Sequence, residues 1–217
     1  AALPAAALPR AQWDAPLLPR ANEALTVPTQ VNYVGQGANL YADAGYSLSG
    51  AAYVVEKYLG TTWLWDKVRV VGGAYGGFCS FDSHSGNFTY LSYRDPNLLD
   101  TLEAYSGSPA YLKGLTLEGD ELTKAIIGTI GDVDAYQLPD AKGYAAMSRY
   151  LLGVSDEERQ ARRDQILGAS TKDFREFGEV LGAAFEKGSR VVAVTSAEKA
   201  AKVLEEKPGF WDIKKVL

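Results

Sequence analysis

The sequence predicts an α+β domain, with an antiparallel sheet packed against helices and an extended Ala/Pro-rich segment in front of it. Three observations predict this. Strand-like runs come first, helical runs fill the middle, and one late strand and a short helix follow. The 217 residues are 47% hydrophobic and 23% charged, which are globular values. Five of the nine prolines (Pro4, Pro9, Pro16, Pro19 and Pro28) fall in the first 28 residues, a density that blocks a continuous helix. The division this suggests is residues 1–25 as a linker or wrapping segment and 26–217 as the folded domain. The alternative, a remnant of a transit peptide, sits poorly with only Arg10 and Arg20 and with no serine before Ser47.

The elements follow in order. VPTQVNYVGQGANL (27–40) carries Val27, Val31, Tyr33 and Val34 among polar residues and predicts a strand running into a loop. SLSGAAYVVEKYLGTTWLWDKV (47–68) repeats Ala51, Val54, Val55, Tyr58 and Leu59 at three-and-four spacing, a helix. VRVVGGAYGGFCSFD and GNFTYLSYRD alternate apolar and polar residues around DSHSG, a hairpin. Asp95 is the expected N-cap of a helix with Pro96 in its first turn, NLLDTLEAY. Helices are predicted from Glu118 to Ile130 and from Pro139 to Leu152, then at DEERQARRDQIL behind a Ser155/Glu158 capping box, and from Thr171 to Phe185. Arg190–Ser196 is a late strand, and AEKAAKVLEE a short helix.

Composition limits the chemistry. One cysteine and one histidine leave almost no inventory for a catalytic zinc or for a nucleophile–histidine triad. A net charge of -5 gives no basic footprint for nucleic acid, and no run reaches the roughly 18 apolar residues of a membrane span. His84 falls in a predicted turn and Cys79 among apolar neighbours, so a solvated ring and an inert buried thiol are expected. Trp63 and Trp65 suit packing, and Glu158 with Arg162 suits an i,i+4 pair on a solvated face. The cluster Gly72-Gly73-Ala74-Tyr75-Gly76-Gly77 lacks the Lys-Ser or Lys-Thr of a phosphate loop. A bulge or close approach by another backbone suits it better, and of the two close approach is favoured. Arg69 and Tyr75, six residues apart, could hold a carbonyl and an oxyanion. Spacing alone favours an ordinary ion pair and a core tyrosine over that role.

Three strings go beyond composition: PTQVNYVGQGANL (28–40), LSGAAYVVEKYLGTTWLWDKVRVVGGAYGGFCSFD (48–82) and SGNFTYLSYRDPNLLDTLEAY (85–105). Together they resemble the C-terminal domain of the presequence protease branch of the pitrilysin-type, or M16 (LuxS/MPP-like), zinc metallopeptidases, over roughly residues 26–217. The resemblance implies a quarter of a clamshell enzyme of four homologous α+β domains. The first such domain holds zinc through HxxEH and a distant Glu. The last reaches across a chamber with an Arg and a Tyr, which by motif position are Arg69 (substrate-binding) and Tyr75 (substrate-binding and catalytic, through a hydrogen bond to the oxyanion). HxxEH is missing here, so no cofactor is expected in this chain and no hydrolysis by it alone. The implied partners are the remaining domains and unstructured peptides, in the mitochondrial matrix or chloroplast stroma. The competing expectation is a stand-alone, non-catalytic scaffold subunit, and a weaker one is a module that binds peptides without cutting them.

Overall fold

The computed structural model describes residues 21–117 and 120–217. In chain order the elements are β1 (Glu23–Thr26), β2 (Tyr33–Asn39), α1 (Leu40–Ala44), α2 (Ala51–Thr61), a π-helix (Trp65–Val71), β3 (Gly76–Asp82) and β4 (Asn87–Tyr93). There follow α3 (Leu99–Gly114), α4 (Asp120–Val133), α5 (Pro139–Leu152), α6 (Asp156–Leu167), α7 (Thr171–Gly188), β5 (Arg190–Thr195), α8 (Ala197–Glu206) and β6 (Asp212–Lys215). One six-stranded sheet runs in the order β3-β4-β2-β5-β1-β6. Its β3-β4-β2-β5 part is antiparallel, as the hairpin pattern requires. At the other end β1 pairs parallel with both β5 and β6.

Helices cover one face. α2, α3 and α7 lie on it, with α4 and α6 stacked on α2 one layer further out. The inner face supplies Phe81, Phe88 and Tyr90, and α3 and α7 meet them with Tyr105, Phe177 and Phe185. Tyr90 stacks on Tyr105 at 4.9 Å, and its hydroxyl is hydrogen-bonded to the Ser108 hydroxyl. Burying aromatic area of this kind is the main favourable term in the fold. The opposite face carries Tyr33, Phe78, Leu91, Tyr93 and Val192, each between 36% and 51% exposed.

Several boundaries differ from the sequence expectation, each for a local reason. The sheet starts at Glu23, inside the segment assigned to the linker, because the Asn22 side chain accepts from Val191 N–H and donates to the Phe210 carbonyl. The Ala/Pro-rich residues 1–20 lie outside the described residues. The helix expected to continue to Val68 stops at Thr61, where the Thr61 and Thr62 hydroxyls bond back to the Lys57 and Tyr58 carbonyls. Val68–Val71, expected in a strand, belong to the π-helix, with only Val68 buried. Asp95 is not the N-cap of α3. That helix begins at Leu99, and the buried Asp95 carboxylate accepts instead from Asn97 N–H and the Thr101 hydroxyl. α3 continues through Pro109, whose missing N–H leaves the Tyr105 carbonyl to the Ser108 hydroxyl, which donates to it at 2.8 Å. Gly178 of α7 lets the two helices pack closely there, since a Cβ would stand 2.9 Å from the Pro109 carbonyl. Glu158 does not pair with Arg162. Its carboxylate completes the capping box with Ser155, while Arg159 takes Asp156 at 2.6 Å. Glu118 and Gly119, the expected start of α4, lie outside the described residues.

Candidate functional site

The π-helix and the turn that leads into β3 present Arg69 and Tyr75 together. Three hydrogen bonds shape the connection: Gly72 N–H to Lys67, Gly73 N–H to Arg69 and Ala74 N–H to Val68. The wide turn is a geometry that recurs at functional sites. Gly73 has φ +77, a left-handed conformation that a side chain would strain. Gly77 admits the π-helix itself: a Cβ there would stand 2.8 Å from Val68 Cβ. The close approach expected of the glycine cluster is therefore made by the chain's own preceding helix.

Arg69 lays its guanidinium over Trp65, 4.1 Å from the ring centroid, and 5.9 Å from the Tyr75 ring. Tyr75 is 66% exposed, so it is not a core tyrosine. Among the described residues Arg69 forms no salt bridge. Tyr75 meets Tyr93 edge-on at 5.8 Å, and Tyr93 meets Tyr33 at 5.5 Å. Arg94 lies over Tyr93, held at φ 48, a strained position for a non-glycine residue. The result is an exposed rim of alternating aromatic rings and guanidinium groups. It can donate hydrogen bonds to carbonyls and stack on flat or apolar groups.

Buried polar contacts fix this rim from behind. Asn32 donates to the Asp95 and Asn97 carbonyls and accepts from the Thr195 hydroxyl at 2.7 Å. Asn97 in turn donates to the Gly72 carbonyl at 2.6 Å. Asn32, Asp95 and Thr195 are fully buried, and a satisfied network in such a place rigidifies what it touches.

The other candidates fall elsewhere. His84 is exposed in the β3–β4 turn, its backbone N–H donating to the Asp82 carboxylate. The Cys79 thiol donates to the Glu56 carbonyl, and burial pushes its pKa up, which makes it a poor nucleophile. Trp63 does pack, stacked on Tyr111 and bonded to the Ala104 carbonyl. Trp65 does not, being 48% exposed beneath Arg69. Its four-residue spacing from Arg69 was the available signal. Among the described residues no three His, Cys, Asp or Glu side chains gather into a metal site. The residues present do not fit the zinc that the resemblance attaches to another domain.

Comparison with known proteins decides the family. Residues 22–198 match the model described as the PreP C-terminal domain. The chain belongs to that family. Presequence protease 1, chloroplastic/mitochondrial, of Arabidopsis thaliana is 58% identical over 94% of this chain and 19% of its own length. Protein HypA of Clostridium perfringens is 38% identical over 92% of this chain and 20% of its own. The mitochondrial presequence protease of Saccharomyces cerevisiae is 34% identical over 70% of this chain and 15% of its own. The chain thus spans about a fifth or less of these relatives. Among solved structures, a peptidase M16 inactive domain from Pseudomonas fluorescens superposes with TM-score 0.63 at 17% identity, over 86% of this chain and 46% of that one. Pitrilysin superposes with TM-score 0.60 at 13% identity, over 90% of this chain and 22% of that one. These two likenesses establish the fold.

Proposed function

We propose that this domain grips the substrate of an organellar zinc oligopeptidase that degrades targeting peptides and other short unstructured peptides. The bond-cleaving half, and the zinc, belong to other domains of the same polypeptide. The observation that carries the reading is the Arg69–Tyr75 pair, 5.9 Å apart on one exposed rim. Arg69 holds a backbone carbonyl of the substrate. Tyr75 donates a hydrogen bond to the scissile carbonyl oxygen as negative charge develops there. A donor already held in place needs little reorganisation as the transition state forms, and that is its advantage over water. The relatives named as mitochondrial or chloroplastic support the organelle; the mitochondrial matrix or chloroplast stroma is the compartment proposed.

In the complete enzyme Tyr75→Phe keeps the ring and its contact with Tyr93 but removes the donor. Turnover of a fluorogenic peptide is expected to fall by about 2–4 kcal/mol of transition-state stabilisation, with a smaller change in KM. Unchanged kcat would remove Tyr75 from the mechanism. The apolar outer face of the sheet, uncovered among the described residues, favours a second reading, a non-catalytic scaffold subunit. A native polypeptide near 23.4 kDa in a larger assembly, rather than one several times that mass, would select it.

A further inference from the structure

The outermost strand of the sheet at one end is β3, and its free edge can be read residue by residue. Leu40 N–H bonds the Gly86 carbonyl, which sets the even-numbered residues of β4 toward β2 and the odd-numbered ones toward β3. The β3–β4 register then turns the backbone groups of Gly76, Phe78, Ser80 and Asp82 to β4. Those of Gly77, Cys79 and Phe81 point away. The Phe81 N–H meets the Glu56 carboxyl from α2. The N–H and C=O groups of Gly77 and Cys79 have no backbone partner among the described residues.

Beside these two residues runs an open groove of about 410 Å³ between β3 and α2. Its α2 wall is lowered at Gly60, where an added Cβ would meet only Cys79 Sγ, at 3.9 Å. Trp65 and Phe78, each about half exposed, form its apolar lips. Glu56, a carboxylate, ends the row of free edge groups by occupying the next N–H along.

We propose that this groove takes an extended peptide segment as an added strand, paired to the Gly77 and Cys79 backbone, with an apolar side chain between Trp65 and Phe78. Two alternate residues with free donors and acceptors at strand spacing match another backbone better than any side chain. The apolar lips match an aromatic or aliphatic residue, and the absent side chain at Gly60 leaves the width a strand needs. The site depends on backbone pairing rather than on Arg69 or Tyr75, so it stands or falls apart from the proposed function. Trp65 borders both regions, which makes them one continuous path.

The test is direct binding to this chain, with no turnover involved. The probe is a short fluorescent peptide of alternating threonine and valine with one central phenylalanine, followed by anisotropy. Saturable binding is expected, together with amide shifts at Gly77 and Cys79 in NMR spectra. Methylating the peptide's backbone nitrogens at alternate residues, in the register that faces β3, should weaken binding by at least about tenfold. The other register should change it less than about threefold. Gly60→Leu, which fills the groove while improving helix propensity, should raise or preserve the melting temperature and abolish binding. Equal affinity of both methylated series would overturn the proposal, because side chains alone would then carry the contact. Retained binding in a folded Gly60→Leu chain would overturn it too. So would no binding at millimolar peptide, or edge-to-edge dimerisation of the chain through β3 seen by light scattering.

Discussion

The two faces of the sheet use the same strands to opposite ends. Toward the helices, Phe88, Tyr90 and Ala193 are fully buried. On the other side Leu91 and Val192, each adjacent in sequence to one of those, are exposed at 46% and 41%. An antiparallel sheet with one solvated face normally carries polar residues there. Here an apolar row crosses four strands, Phe78 opposite Leu91, Leu91 opposite Gly35, and Gly35 opposite Val192. The inner face is built to hold the domain together. The outer face contributes little to that and retains apolar surface of the kind that marks contact with something else. Alternation in a strand therefore establishes which residues share a side, but not which side is wet.

Substitutions on the two faces should separate these roles. Phe88→Ala empties a site that touches Phe81, Tyr90, Phe177 and Phe185 and should cost about 3–5 kcal/mol in urea unfolding. Leu91→Ala, three residues on, should cost less than about 1 kcal/mol. Equal costs would mean that the outer face is packed in solution.

A smaller effect lies at the edge of the inner face. Burial raises the Glu56 carboxyl pKa from 4.5 to about 7, against the lowering by the Phe81 N–H and Lys57. Below the unfolded value both states are protonated and the group contributes nothing. As pH rises from there to about 7, the unfolded chain gives up the proton first, so the folded state loses stability, and the loss is complete above about 7. Since the group is partly exposed, the loss should amount to about 1–2 kcal/mol. Glu56→Gln, which can still accept from Phe81, should flatten that slope in melts run from pH 4 to pH 8. A slope that survives the change would assign it to another group. The smallest effect contrasts two tyrosines. Tyr90→Phe removes the hydroxyl bonded to Ser108 and should cost about 1 kcal/mol, whereas Tyr93→Phe on the outer face should be near neutral. Thermal melts that reverse the order would contradict the assignment of the faces.

What could be read beforehand follows from where local chemistry governs. The capping box at Ser155 and the β3–β4 hairpin are short-range features, and both form where their residues say. β6 went unrecognised because DIKK has no apolar alternation. All four of its residues are exposed, and it exists only by pairing with β1 and by the Lys214–Glu23 ion pair. The π-helix is hidden for a related reason: V-R-V-V alternates like a strand, and the contact that braces its end, Asn97 on the Gly72 carbonyl, comes from 25 residues away. Arg69 and Tyr75 received their roles only through resemblance: six residues would put them on one face of a strand, but the chain brings them together across a π-helix and the turn after it. Trp65, Tyr93, Arg94 and Tyr33 complete the rim by tertiary approach, which no single stretch of sequence records.

The position of β1 has a kinetic consequence. Glu23–Thr26 lies between β5 and β6, so Leu25 must find Val194 and Lys214, partners separated from it by most of the chain. Loop closure of that length carries a large entropic penalty before any contact compensates for it, and such pairings slow folding. The α2–β3–β4 region can assemble from neighbours within one stretch of chain. The opposite end of the sheet has to wait for β5 and β6 to be made, and until then β1 remains an unpaired strand exposed to misassociation.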